Sequence, residues 1–232
     1  MFDSNHAQAA TDVFSAIQTR RSVRAYTLQL VSPEVLLEVI DAGRHAPSGS
    51  NLQPWQVYVL TGQTLQRVSA AIQRAFLSEE PGHQRDYAYY TEQIVEPYLS
   101  RRRACGWGLY QTLSIGRGDH EKSRAYRARN YNFFGAPVGL VFTIDRDLER
   151  GSWLDYGMFM QTLMLAARAR GLHTCAEASI ASFPDIVRRE LAITYDQVVV
   201  AGMAMGYADE TAVVNQFQPQ RIAVEEYARF LD

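Results

Sequence analysis

Three guanidinium groups and a hydroxyl fall within the short stretch Arg20-Arg21-Ser22-Val23-Arg24. Arginine forks onto phosphate with two parallel charge-assisted hydrogen bonds, and a serine hydroxyl with nearby backbone N–H groups can complete the cradle. The chemistry this spacing suits is therefore anion binding. Further on, Ala46-Pro47-Ser48-Gly49-Ser50-Asn51-Leu52-Gln53-Pro54-Trp55 makes a turn-forming loop of hydroxyls and amides that runs into an apolar strand. Such a loop can read the edge of a planar polar ligand, and the two stretches together read as one cofactor site. Arginine pairs at helix ends also complement the helix dipole, and Ser48 to Asn51 also suits a plain helix exit, so the residues alone leave both readings open.

Several elements must position these residues. Residues 1 to 9 are small and polar and are expected to be frayed, after which Thr11 is the expected cap of a helix carrying Val13, Phe14 and Ile17. That helix delivers Arg20 and Arg21 at its end. Ser32 and Pro33 read as cap and first residue of a second helix, striped by Leu36, Val39, Ile40 and Gly43, which must stop before Pro47. Trp55 to Leu60 is β-branched and aromatic and reads as a strand, and Leu65, Val68, Ile72 and Phe76 stripe the helix after it. From 79 to 132 the chain turns tyrosine- and arginine-rich, and an inserted group of helices is expected. Val138 to Ile144 reads as a strand covered on both faces. Residues 155 to 170 read as a helix apolar almost all round, ending at Gly171, and therefore either central or packed on a second subunit. Thr174 to Ser182 reads as a loop of small residues, Ser182 to Asp185 as a capping-box start of a short helix ending near Leu191, and Gln197 to Gly206 as the last strong strand. The tail from Thr211 has little core of its own apart from Phe217 and the pattern Ile222, Val224, Tyr227, Phe230 and Leu231.

Composition narrows the function class. With 23 basic and 25 acidic side chains, a formal charge of −2, no global field draws the chain to nucleic acid or anionic membrane. Cys105 and Cys175 stand far apart with no CxxC, which speaks against a disulfide or zinc framework and suits a reducing cytoplasm. No leader pattern and no apolar run long enough to cross a bilayer is present, so the cytoplasm is the expected location. The histidines His6, His45, His83, His120 and His173 never fall at metal-ligand spacing, and no metal is expected. GxGxxG, GxxxxGK[ST] and GxSxG are all missing, which removes a dedicated dinucleotide domain, a P-loop and a serine nucleophile elbow.

The blocks Arg20 to Arg24, Ala46 to Trp55, Phe134-Gly135-Ala136-Pro137 before a strand, Gly171 to Cys175, Val200 to Tyr207 and a late Arg221 occur in the order found in FMN-dependent nitroreductases. Over residues 11 to 229 the chain resembles that family, and its tyrosine-rich segment resembles the nitrobenzoate-reducing branch. The resemblance implies a single α+β domain over residues 1–232, with a mixed, mainly antiparallel sheet flanked by helices, in a helix-swapped homodimer with FMN at the subunit boundary. It implies that Arg20, Arg21 and Ser22 hold the phosphate and ribityl chain, with Arg24 near the pyrimidine edge and Arg221 closing on the phosphate. Pro47, Ser48, Ser50 and Asn51 would come from the partner subunit, with Gln53 and Trp55 shaping the entry. Backbone N–H groups near Glu177 and Ala178 would face flavin N5 and O4. A family lysine near the flavin carbonyl has no counterpart, since Lys122 is the only lysine, and Asn130 is the residue expected at that edge.

The activity implied is ping-pong: NADH or NADPH reduces FMN, leaves, and is replaced by a nitroaromatic or quinone-like acceptor, with no catalytic side chain and Tyr87, Tyr90 and Tyr126 as candidates to line the acceptor pocket. A cation beside the pyrimidine edge raises the flavin potential, which suits Arg24 to that place. Two rivals remain: the same cofactor with other chemistry, either reductive dehalogenation or oxygen-dependent flavin breakdown, and a non-enzymatic FMN-binding protein.

Overall fold

The computed structural model describes residues 8–231 of the chain, so most of the start expected to be frayed lies outside the described residues. Where it is described, that start is tied down: Ala10 N donates to Arg168 O at 2.9 Å and the Arg168 guanidinium donates to Gln8 O at 2.7 Å. Helix α1 (Val13–Thr19) is capped by Asp12 and not by Thr11, because the Asp12 carboxylate accepts from Ser15 N while Asp12 N donates back to Ser15 Oγ. Helix α2 (Pro33–Gly43) starts as expected, with Ser32 Oγ accepting from Val35 N and proline at the first helical position.

Strand β1 (Gln56–Leu60) leads into helix α3 (Gly62–Leu77), which buries Leu65, Val68 and Ile72. Helices α4 (Tyr98–Thr112) and α5 (His120–Ala128) supply the helical part of the 79–132 segment, while residues 79–97 before them hold no helix or strand. Strand β2 (Val138–Asp145) and helix α6 (Arg150–Ala169) follow, the helix starting five residues earlier than its apolar pattern indicates. Its expected first residue, Asp155, sits inside the helix, where its Oδ2 accepts from Gly49 N at 3.1 Å.

Strand β3 (His173–Glu177) occupies what the sequence reads as a loop of small residues. With Thr174 its only β-branched residue the segment carries little strand signature, yet it pairs antiparallel along a neighbour from His173 opposite Gly206 to Glu177 opposite Gly202. Helix α7 (Pro184–Leu191) begins after a 3₁₀ turn at Ile180–Ser182, and Ser182 makes no cap. Strand β4 (Gln197–Gly206) is buried along its whole length, as expected of a strand covered on both faces.

The strand order is β1-β2-β4-β3, all antiparallel, with one isolated parallel bridge between Ser22 and Thr174. Helices α3 and α7 cover one face through Val68, Ile72, Ile186 and Val187, and α2 with α6 covers the other through Val39, Phe159 and Leu163. Gly43 is required where those two helices cross, since a Cβ there would stand 2.5 Å from the Phe159 ring. Helix α6 is not central in its own chain: Tyr156, Phe159 and Leu163 are buried while Leu154 is 74% exposed. The tail adds only a 3₁₀ turn at Val213–Gln216 and the single helical turn α8 (Val224–Tyr227), and Ile222, Val224, Phe230 and Leu231 stay exposed.

Candidate functional site

After α1 the backbone becomes extended at Arg20, and Val23 N donates to Thr174 O at 3.1 Å, so residues 20–24 run along the outer edge of β3. Alternation then buries Val23 completely and turns Ser22 and Arg24 outward. Arg20, Arg21, Ser22 and Arg24 line a cleft of about 200 Å³, which Phe217, Pro219 and Arg221 of the tail close from the other side. The structure thus brings together five residues of the anion-binding proposal from the two ends of the chain.

The arginines are not equivalent. Arg20 is half-buried and its guanidinium pKa is depressed, first by burial and then by the charge of Arg221. Among the described residues no carboxylate pairs with either Arg20 or Arg221. Two facing cations without a counterion repel, and an anion between them relieves that repulsion. Arg21, in contrast, is neutralised by an ion pair with Glu210 and donates to Asn215 O at 2.8 Å. Its guanidinium is a strut that holds the Val213–Gln216 turn, a different job from the phosphate contact the motif suggests.

At the other end of β3, Cys175 and Glu177 point into the core whereas Ala176 and Ala178 line a second cleft of about 760 Å³. Tyr87, Tyr89, Trp153 and Met160 wall that cleft. Of the three tyrosines expected there, only Tyr87 takes part: Tyr90 lies exposed under Arg102 and Tyr126 packs against Phe134 and Tyr110. The Glu177 carboxyl is buried, and burial pushes its pKa well above the usual carboxylate range against the opposing pull of Arg24 and of the Ala204 backbone.

The loop after α2 lies elsewhere. Pro47, Ser48, Ser50, Asn51 and Gln53 line neither cleft in this chain, because Gly49 is bonded to Asp155 and Trp55 stacks on Phe159 at 4.7 Å, which seats the loop on α6. Ser50, Asn51 and Gln53 all hold positive φ, a strained conformation for side-chain-bearing residues that is typical of binding loops. Asn130 is also apart: it sits in the Arg129–Gly135 turn, where its amide donates to Arg127 O at 2.9 Å. A short polar side chain at a helix end is drawn to the nearest free carbonyl, which the sequence does not reveal.

Two positioning residues have no motif. Asn215, 3% exposed, accepts from Arg24 N and donates to Ala25 O and Asp209 O, all at 2.8 Å. Arg168, 1% exposed, donates to Thr19 Oγ1, Leu172 O and Gln8 O and so fixes the end of α1 against α6. A basic residue in a helix's last turn is ordinary dipole complementation in sequence, and only burial distinguishes this one.

The nitroreductase family matches residues 17–207 of the chain. The chain is 40% identical to a 4-nitrobenzoate reductase of Pseudomonas putida, with 95% of this chain and 96% of that protein covered. It is 39% identical to a chloronitrobenzene nitroreductase of Comamonas testosteroni, over 93% of this chain and 95% of that one. Among solved structures, the FMN and NADPH-dependent nitroreductase NfnB from a Sphigopyxis strain superposes with a TM-score of 0.92 at 36% identity, covering 95% of this chain and 99% of the other. The FMN-dependent NfnB from Mycobacterium smegmatis in complex with NADPH gives 0.90 at 33% identity, covering 94% and 96%.

Proposed function

Because this chain belongs to the nitroreductase family, we propose that it is an FMN flavoprotein that uses NADH or NADPH to reduce nitroaromatic acceptors. The observation that carries this reading is the unneutralised Arg20 and Arg221 pair facing one cleft, with small residues at the end of the adjacent strand. The residues fit the cofactor: the two guanidiniums and Ser22 suit a phosphate, and Ala176 and Ala178 let a ring approach the backbone closely.

When bound, FMN supplies the two-electron chemistry and lets donor and acceptor react in separate half-reactions. Arg20, Arg221 and Ser22 would hold its phosphate, and Arg24 would supply fixed positive charge to offset the negative charge that reduction builds. Tyr87, Tyr89 and Trp153 offer aromatic faces that orient a planar acceptor and keep water out. In this reading Pro47, Ser48, Ser50, Asn51 and Gln53 complete the site from a second copy of the chain, in a homodimer whose contact includes the exposed side of α6. The 79–132 segment belongs to the same single domain as an insertion. Quinone-like acceptors suit the same apolar cleft, and the cytoplasm, which keeps Cys105 and Cys175 as thiols, suits the reductant.

The purified protein is expected to be yellow, to release FMN on heating, to be bleached anaerobically by a nicotinamide donor and to recover its colour with 4-nitrobenzoate. Charge-assisted hydrogen bonds contribute about 1.5–3 kcal/mol each, so losing either arginine should weaken FMN binding roughly ten- to a hundredfold. Arg20→Ala combined with Arg221→Ala should be colourless yet folded by circular dichroism. A folded parent that never takes up FMN, or a double variant with unchanged FMN affinity, overturns the proposal.

A further inference from the structure

Strand β3 stops opposite Gly202, but β4 continues back to Gln197, which leaves its outer edge without a strand over residues 197–201. A register shift in the β2–β4 ladder adds to this: Phe142 pairs Ala201 and Thr143 pairs Val199, so Val200 is a bulged residue without a partner. Three consecutive residues fill the gap. Asp86 Oδ2 accepts from Val199 N at 3.1 Å, the Tyr87 hydroxyl donates to Val200 O at 2.6 Å, and Arg85 Nη1 donates to Ala178 O at 2.8 Å. Burial raises the Tyr87 pKa to about 12, so its hydroxyl remains a donor through neutral pH.

Asp86 is the joint of this arrangement. Its side chain, 10% exposed, also accepts from Arg188 of α7 at 2.5 Å and from Arg146 just after β2 at 3.3 Å. Arg188 is itself buried and donates to Gln197 O at 2.8 Å. One carboxylate therefore ties the irregular 79–97 segment to β4, to α7 and to the end of β2. In the chain that follows, Tyr89 and Tyr90 are exposed and held by ring contacts alone. Yet the Tyr87 ring lies 4.7 Å from Trp153 and 6.3 Å from Tyr89, and these rings wall the acceptor cleft.

We propose that Asp86 is a positioning residue that sets the width of the acceptor cleft, and with it the size of ring system the enzyme accepts. Asp86 does not itself line the cleft; it acts through Tyr87 and Tyr89. The inference rests on the function proposed above, because only there is the 760 Å³ cleft the acceptor site.

The test uses FMN-loaded Asp86→Asn and two acceptors with the same anionic group, 4-nitrobenzoate with one ring and 4-nitro-1-naphthoate with two. Misplacement of a positioning wall by about an ångström costs on the order of a hundredfold, so a partial release should lower kcat/KM for the one-ring acceptor about tenfold. The two-ring acceptor should be unaffected or improved. In hydrogen exchange, the Val199 amide, whose hydrogen bond Asp86 accepts, should exchange faster while the amides of α3 are unchanged. If Asp86→Asn fails to fold, Tyr87→Phe, which loses a single hydrogen bond, should shift the acceptor ratio in the same direction by about threefold, the scale of one neutral hydrogen bond. Equal effects on both acceptors, or unaltered exchange at the Val199 amide in a folded variant, overturn the inference. If the parent binds FMN and reduces nitroarenes but the variants show no such shift, the Asp86 role alone is defeated, whereas a parent that does neither defeats the function on which it rests.

Discussion

Glu177 places a carboxyl, 2% exposed, inside the fold. Burial raises its pKa well above the ordinary 4.5, so the folded state retains a proton that the unfolded chain releases. Between those two values the folded state binds more protons, and linkage makes stability fall as pH rises upward from about 4.5. Glu177→Gln keeps the shape and cannot ionise. Urea midpoints measured between pH 4 and pH 8 should therefore show the parent losing stability relative to the variant as pH rises. A constant difference between the two across that range would contradict the assignment. At the same scale, Arg20 and Arg21 are adjacent in sequence and opposite in role, one without a counterion and one spent on Glu210 and Asn215.

The elements that bring the arginines together are held by few bonds, and Asn215 makes several of them. Its side chain bridges Arg24 N, Ala25 O and Asp209 O, joining the extended piece after α1 to the turn that opens the tail. Each such bond contributes about 1 kcal/mol and each buried group left unpaired costs about 1–3, so Asn215→Ala should destabilise the protein by roughly 2–4 kcal/mol in urea unfolding. FMN affinity should fall with it, because the Arg24 backbone loses the side-chain oxygen that holds it in place. A loss under about 0.5 kcal/mol would mean the turn is anchored elsewhere, with Phe217 against Gly108 the next contact. The helices around these pieces were legible in advance where caps and periodicity agree, as in α2 with Ser32 and Pro33 and in α3 with Leu65, Val68 and Ile72. Strand β3 was not, since Cys175 and Ala176 carry no strand signature and its register comes entirely from the free edge of β4.

Several large apolar side chains stand uncovered among the described residues. Phe14 on α1 is 76% exposed, and Leu154 on α6 and both Phe230 and Leu231 in the tail are exposed as well. Fully burying one such side chain contributes about 1.5–3 kcal/mol, so covering them against a second chain would be favourable. The loop of Ser48 to Gln53 points the same way, being strained and exposed while it reaches neither cleft of its own chain. Sedimentation velocity should find a dimer for the parent. Leu154→Glu, which places a charge on the open side of α6, should give monomers that lose FMN in proportion. A monomer that keeps its flavin would show instead that one chain completes the site alone.

The sequence by itself determined the chemistry's ingredients: a guanidinium-rich stretch after a helix, a hydroxyl and amide loop before a strand, and a late arginine, in an order that resembles one family. It also determined the buried strands β2 and β4, because continuous apolar runs have few other solutions in water. Tertiary structure alone decided which guanidinium lacks a counterion and that Asp86 clamps a loop to a strand edge. Those outcomes depend on pairings between residues far apart in the chain, such as Arg24 with Asn215 and Asp86 with Val199. Local pattern reports which groups need partners, and only the packed chain determines which partners they find.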